Sequence, residues 1–197
     1  MARLPLLSPG DLPEADQDVL ERPINLYRLL AHLPELARRY RSMGRWIRFE
    51  STLDPRLREL AILQVGVVTG SAYETSHHVH IGHDFGLSDE DIKAVGAETK
   101  GQPSRLGERE RVVLRAAREL TAGVRVSDDT WAALGQWLTD AERLELTVVI
   151  AFYTMTVRII GATELDVEDD YLPYLAYFPE IDGGRPEAAG SRPDNDQ

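Results

Sequence analysis

The stretch TGSAYETSHHVHIGHDFG, Thr69 to Gly86, holds four of the chain's five histidines, at positions 77, 78, 80 and 83, in a chain without cysteine. Imidazole titrates near neutrality and serves both as metal ligand and as proton carrier. Three chemistries are therefore open here: proton transfer, metal binding, or a solvated helix face. At about 100° per residue, Glu74, Thr75, His77, His78 and Ile81 share one broad stripe, while His80 and His83 point elsewhere. Glu74 and His78 are helical neighbours with the acid first. A carboxylate there orients the ring and raises its basicity, which suits acid–base work. The same pair makes an ordinary structural hydrogen bond.

A metal site needs three or four converging ligands. His77 and His80, or His80 and His83, supply two from one helix, and Glu59 or His32 is needed for a third. The spacing fits no standard zinc pattern, so neither a metal nor another cofactor is expected. Ser71-Ala-Tyr-Glu74 also reads as a capping box, in which Ser71 and Glu74 only start the helix.

The elements that must position these residues are helical. INLYRLLAHLPELARRYRSMGRWIRF has apolar residues at helical spacing, and Pro34 opens a second helix within it. Asp54-Pro55 is a cap followed by proline at the first helical position, and Gly70 ends that helix. Val65, Val67 and Val68 would also suit a strand. The second arm, from about Ser71 to Phe85, gives an antiparallel hairpin with Arg56–Thr69. Ser88 and Asp91 form a capping box, GQPSRLG is a loop, and ERERVVLRAARELTAG is an amphipathic helix ending at Gly123. VSDDTWAALGQWL starts another, and Thr139 with Glu142 caps a long apolar helix. DPRLRELAILQVGVVTG and DAERLELTVVIAFYTMT echo one another, setting Glu59 against Glu145 and raising a possible internal two-fold repeat. Residues 1–23 read as an N-terminal extension, 24–181 as the folded domain and 182–197 as a disordered tail.

A chain of 197 residues can bury a sizeable core. Its net charge of −11 argues against nucleic acid, which needs clustered Lys and Arg, and against anionic membranes. Without cysteine, disulfides, thiolate metal sites and thiol nucleophiles are excluded. No run reaches the roughly 18 apolar residues of a membrane span, and prolines and acids break the N-terminus too early for a signal peptide. A cytoplasmic protein is expected. His32 reads as a capping or core residue, and Trp46, Trp131 and Trp137 as packing or interface residues. Arg45 and Arg48 are candidates to hold a substrate carboxylate. Arg58 falls on a different helix face from Glu59.

Leu57 to Val95 resembles the carboxymuconolactone decarboxylase family, which shares its fold with alkylhydroperoxidase D-like proteins, and the resemblance extends loosely over residues 24–165. In that superfamily's peroxidases a Glu is followed after eleven residues by Cys-x-x-Cys, then three residues and a His. Counting from Glu59 lands on Ser71, Glu74 and His78, so the acid and the histidine are kept and both thiols are replaced. The resemblance implies an all-α, alkylhydroperoxidase D-like fold and a homo-oligomer. It also implies a cofactor-independent lyase or isomerase for a small organic acid or lactone rather than a thiol peroxidase. Glu59, Glu74 and His78 would be catalytic, and Ser71, Tyr73 and His77 would bind substrate. The alternatives are a non-catalytic ligand-binding or scaffold member and a metal-dependent enzyme using the histidines.

Overall fold

The computed structural model describes residues 2–181, which are helical without any strand. The expected tail, 182–197, lies outside the described residues. Eight α-helices run in order: α1 Asn25–Leu30, α2 Pro34–Phe49, α3 Pro55–Thr69, α4 Ala72–Asp84, α5 Asp89–Thr99, α6 Glu108–Ala122, α7 Asp128–Leu134 and α8 Asp140–Thr163. Two short 3-10 segments, Pro9–Asp11 and Glu14–Leu20, precede them, and a longer one, Asp169–Tyr177, follows.

Helix α3 is the hub, packed against α4, α5, α6 and α8. Asp54 caps it by accepting from the Arg56 and Leu57 amides, and Gly70 ends it at φ 63°, a conformation that glycine adopts without penalty. Every residue from Leu57 to Gly66 is buried, the polar Arg58, Glu59 and Gln64 among them, because neighbours cover this helix on all sides. The strand alternative for Val65–Val68 gives way here, because both caps are made and neighbours cover every face. Gly66 is where α4 comes closest: a Cβ there would lie 2.8 Å from Thr75 Cγ2. Its missing side chain lets the hairpin close.

Ser88 with Asp91 and Thr139 with Glu142 form complete capping boxes, as expected. Helix α8 is long and apolar enough to cross a membrane by length and composition, and in this fold it packs against α3 and α6. The echo of Glu59 in Glu145 does not extend to their roles. Glu145 accepts from Ser51 Oγ and from the Thr52 and Leu53 amides, holding the loop ahead of α3.

A second, smaller core joins the N-terminal segment, α1 and α2 to Tyr73 and Ile160. Arg28 donates to the Leu6 and Leu7 carbonyls, and Arg38 to the Asp16 and Asp18 carboxylates. His32 is neither a cap nor a core residue. It is exposed and meets the Pro5 carbonyl at 2.9 Å, because α1 ends two residues earlier, at Leu30. The 3-10 segment Asp169–Tyr177 lies along α4 as a strap.

Candidate functional site

The hairpin brings three of the expected residues into one buried chain and adds a fourth. Arg58 Nε donates to Glu59 Oε1 at 3.0 Å, Glu59 Oε2 lies 2.7 Å from His78 Nδ1, and His78 Nε2 lies 3.1 Å from Glu74 Oε1. Their exposures are 1%, 1%, 4% and 3%. With the ring protonated, two cations alternate with two anions and the net charge is zero, which is how buried charge is tolerated. Arg58 also donates to the Ile47 and Arg48 carbonyls in the last turn of α2, groups a helix leaves unpaired. Its Nη2 has no hydrogen-bond partner among the described residues. The guanidinium rests instead 4.5 Å from the Phe85 ring centroid, a compensating cation–π contact.

Burial alone would lower the His78 pKa, but the Glu59 and Glu74 carboxylates outweigh it and raise the imidazolium above its ordinary 6.5. Burial likewise pushes Glu59 up, and the charges of His78 and Arg58 bring it below its ordinary value. Both directions favour an ionised pair.

Ser71 caps α4 by accepting from the Glu74 amide. The reciprocal half of the expected capping box is absent: Glu74 turns its carboxylate to His78, and the Ser71 amide donates to the Gly66 carbonyl instead. The hairpin turn already satisfies that amide, so Glu74 is free of the cap.

A cavity of about 410 Å³ opens over this chain. Glu74, His77 and His78 lie on it, Tyr27, Tyr40, Phe152 and Tyr153 wall it, and Arg22, Arg41, Arg45 and Arg48 come from α2 and the segment before α1. Glu59 and Ser71 do not line it. Glu59 therefore supports His78 from behind, and Glu74 is the acid on the cavity. Tyr73 lines it too, but its hydroxyl is occupied, accepting from the Leu26 amide and donating to Glu168. Arg41 pairs with Asp18 and Glu21, whereas Arg22 and Arg48 have no carboxylate partner among the described residues. Tyr153 sets its ring edge-on to His78 at 4.8 Å. Its hydroxyl has no hydrogen-bond partner among the described residues, and burial keeps it a phenol, its pKa raised.

The other histidines face the strap. His77 Nε2 lies 2.7 Å from Glu168 Oε2, and its ring is stacked between Tyr73 at 4.3 Å and Tyr171 at 3.7 Å. His80 Nδ1 meets the Tyr174 hydroxyl at 3.0 Å, and His83 Nε2 meets Asp89 at 3.0 Å beside Tyr177. Three residues per 3-10 turn put Tyr171, Tyr174 and Tyr177 in register with His77, His80 and His83. Among the described residues no group of three or more His, Asp or Glu is placed to hold a metal ion.

Sequence reasoning missed Arg58, Tyr153, Glu168 and Arg22. Helical phase separated Arg58 from Glu59, but a guanidinium on a flexible stem reaches around by that much. Tyr153 lies among the buried positions of a long, largely apolar helix, where its sequence neighbours Thr154 and Thr156 also carry hydroxyls, so nothing singled it out. Glu168 lies where no periodicity exists to read.

The carboxymuconolactone decarboxylase family model matches residues 34–119, which includes α2, the site hairpin and α5. No curated protein sequence matches. Solved structures do. A peroxidase-related protein from Ralstonia eutropha, described as an alkylhydroperoxidase AhpD core, aligns at TM-score 0.75 and 18% identity over 88% of this chain and 95% of that one. A debrominase in complex with 2,3,4-tribromopyrrole aligns at 0.71 and 17% over 89% and 95%. A putative antioxidant defence protein from Agrobacterium tumefaciens aligns at 0.63 and 21% over 71% and 95%. At these identities the structures establish the fold alone. Residues 34–119 thus match the carboxymuconolactone decarboxylase family model on an AhpD-like helical fold, with the Glu59–His78 pair inside the matched span and no cysteine in the chain.

Proposed function

We propose that the chain is a cofactor-independent lyase or isomerase that moves protons on a small planar carboxylate or lactone. One observation carries this reading: His78 is held between two carboxylates, and it lies with one of them, Glu74, on a cavity. A buried imidazolium poised this way donates a proton to a developing enolate, and Glu59 with Arg58 fixes its ring. The Tyr153 phenol supplies a second donor for the anionic oxygen. Arg48 and Arg22 offer their guanidinium groups to a substrate carboxylate, and the aromatic walls suit a flat ring. That one fold neighbour was solved with a halogenated pyrrole agrees with a ring-sized cavity. The absence of thiols removes thiol-peroxidase and other thiol-redox chemistry from this site. We further propose that the protein works in the cytoplasm as a homo-oligomer, independently of nucleic acid and membranes, burying the exposed Met43, Leu144 and Met155 against another copy.

A second reading, a non-catalytic ligand-binding member, is favoured by the way Arg58 and Glu59 are built into the core. The unsaturated lactone 5-oxo-2,5-dihydrofuran-2-carboxylate separates the two. Proton NMR in D2O is expected to show isomerisation or deuterium entry with wild type. His78→Gln is expected to slow the isomerisation by about 10²–10⁴-fold, the range for lost acid–base assistance. Binding without turnover gives the ligand-binding reading; isomerisation indifferent to His78 removes the catalytic one.

A further inference from the structure

The adjacent histidines of α4 both line the cavity, yet they are built differently. His78 has a carboxylate at each ring nitrogen, Glu59 at Nδ1 and Glu74 at Nε2. Two anions flanking one ring favour the doubly protonated imidazolium, because only that form donates to both. His77 has a carboxylate at Nε2 alone, Glu168 on the strap. Its Nδ1 has no hydrogen-bond partner among the described residues. Glu168 is fixed in turn by the Asn25 amide at 2.5 Å and the Tyr73 hydroxyl at 3.0 Å. Tyr73 and Tyr171 clamp the ring plane from either side. A ring so held donates Nε2–H to Glu168 and keeps its lone pair on Nδ1.

We infer that His77 is the base of the site and His78 its acid, so that the cavity is built for a proton shift between two atoms of one bound molecule. This assignment rests on the proton-transfer reading above and deepens it. In the forward step His77 Nδ1 takes a proton from a carbon next to a carbonyl. The C–H electron pair moves into the enolate, whose oxygen faces the Tyr153 phenol. His78 then delivers its Nε2 proton to a second carbon, and the electron pair returns as a new C–H bond. The substrate is isomerised with no change in oxidation state. The enzyme is left with His77 charged and His78 neutral, and it resets by exchange with water in the open cavity.

Charge placement agrees. Burial lowers the His77 pKa below 6.5, outweighing Glu168, while the two carboxylates raise His78. Environments that drive two titrating groups apart mark acid and base in one site. The groups facing His77 are Glu168 and Tyr171 from the strap and Tyr73, Glu74 and His78 from its own helix. Those facing His78 are Glu59 from α3, Tyr153 from α8 and Glu74 and His77 from α4.

Nitrogen-15 NMR of the histidine-labelled full chain, titrated from about pH 5 to 9, tests the division without a substrate. At pH 7 the His78 nitrogens are expected at imidazolium shifts and His77 as the neutral Nε2–H tautomer. Equal charge on both rings, or a proton on His77 Nδ1, overturns the inference. The lactone carboxylate gives the second arm. His77→Gln is expected to abolish deuterium entry and isomerisation together, whereas His78→Gln slows isomerisation far more than exchange. The opposite pattern overturns the assignment. A wild-type protein that leaves the lactone untouched counts against the proposed function, and the NMR arm still decides the division of charge.

Discussion

Two faces of α4 carry histidines, and they are made of different material. On the hairpin side His78 sits within an alternating series of full charges, Arg58, Glu59, His78 and Glu74, nearly all of it sealed from water. On the strap side His77, His80 and His83 meet a row of tyrosines and one acid each at most. The first arrangement is costly to break because any single loss strands a buried charge. The second is a seam of single hydrogen bonds and ring contacts, buried at His77 and partly open to water at His80 and His83. The partner, not the histidine, decides what each ring can do, and His77 alone belongs to both the seam and the cavity.

The sharpest way to break this contrast is Glu59→Gln. It leaves Arg58 buried without its anion and His78 without its stronger acceptor, so a loss of about 3–5 kcal/mol is expected, as for one partner of a buried ion pair. Glu168→Gln on the strap side, where the acid is only half-buried, should cost clearly less. Denaturant unfolding of both variants is the measurement; equal costs would erase the distinction between the faces.

The pH dependence should differ next. His78 is raised above 6.5 in the folded chain, so its contribution is full below that value and is lost as pH rises through the raised one. His77 is lowered, so stability falls as pH drops below 6.5 toward its depressed value. Glu59 and Glu168, held below 4.5, add a further loss as pH falls through their depressed values. Midpoints measured across pH should therefore fall on both sides. His78→Gln should flatten the alkaline limb, and His77→Gln the part of the acid limb just below pH 6.5. An alkaline limb unchanged by His78→Gln would refute the ion-pair description.

These contrasts were only partly legible in the sequence. Caps and periodicity are local, so Asp54-Pro55, Gly70, Ser88 and Thr139 announced the helices that bear them. Glu74 and His78 were legible as an i, i+4 pair for the same reason. The separation of Glu59 from the cavity was not, because it depends on which side of α3 the hairpin closes. Nor was the turn of Glu74 away from the cap, since Ser71-x-x-Glu74 satisfies the capping pattern whether or not the carboxylate turns away. The strap is the clearest case. Its 3-10 geometry gives no apolar period to follow, yet the three-residue spacing of Tyr171, Tyr174 and Tyr177 repeats that of His77, His80 and His83.

Within the seam, Tyr174→Phe removes the hydroxyl that meets His80 while keeping the ring that packs beside it. The pair is partly exposed, so about 0.5–1.5 kcal/mol is expected, the ordinary net value of one hydrogen bond. A loss as large as that of Glu59→Gln would mean the strap is as tightly coupled to the core as the hairpin is.

The smallest expected effect is that of metal. Residues 77, 80 and 83 advance about 9 Å along the helix, at about 1.5 Å each, and each three-residue step turns the side chain by about 60°. Zinc needs nitrogens within about 2.0–2.1 Å of one point. Bringing these rings together would require His77 to leave Glu168, His80 to leave Tyr174 and His83 to leave Asp89. Unstacking His77 from two tyrosines adds to that cost. Chelator, or equimolar zinc, should therefore leave the unfolding midpoint unchanged, and protein prepared without an affinity tag should carry less than one equivalent of zinc, iron, nickel or copper. Stoichiometric metal lost on replacing His77, His80 and His83 with alanine would turn the seam into a ligand set, and the contrast between the two faces would have to be redrawn around it.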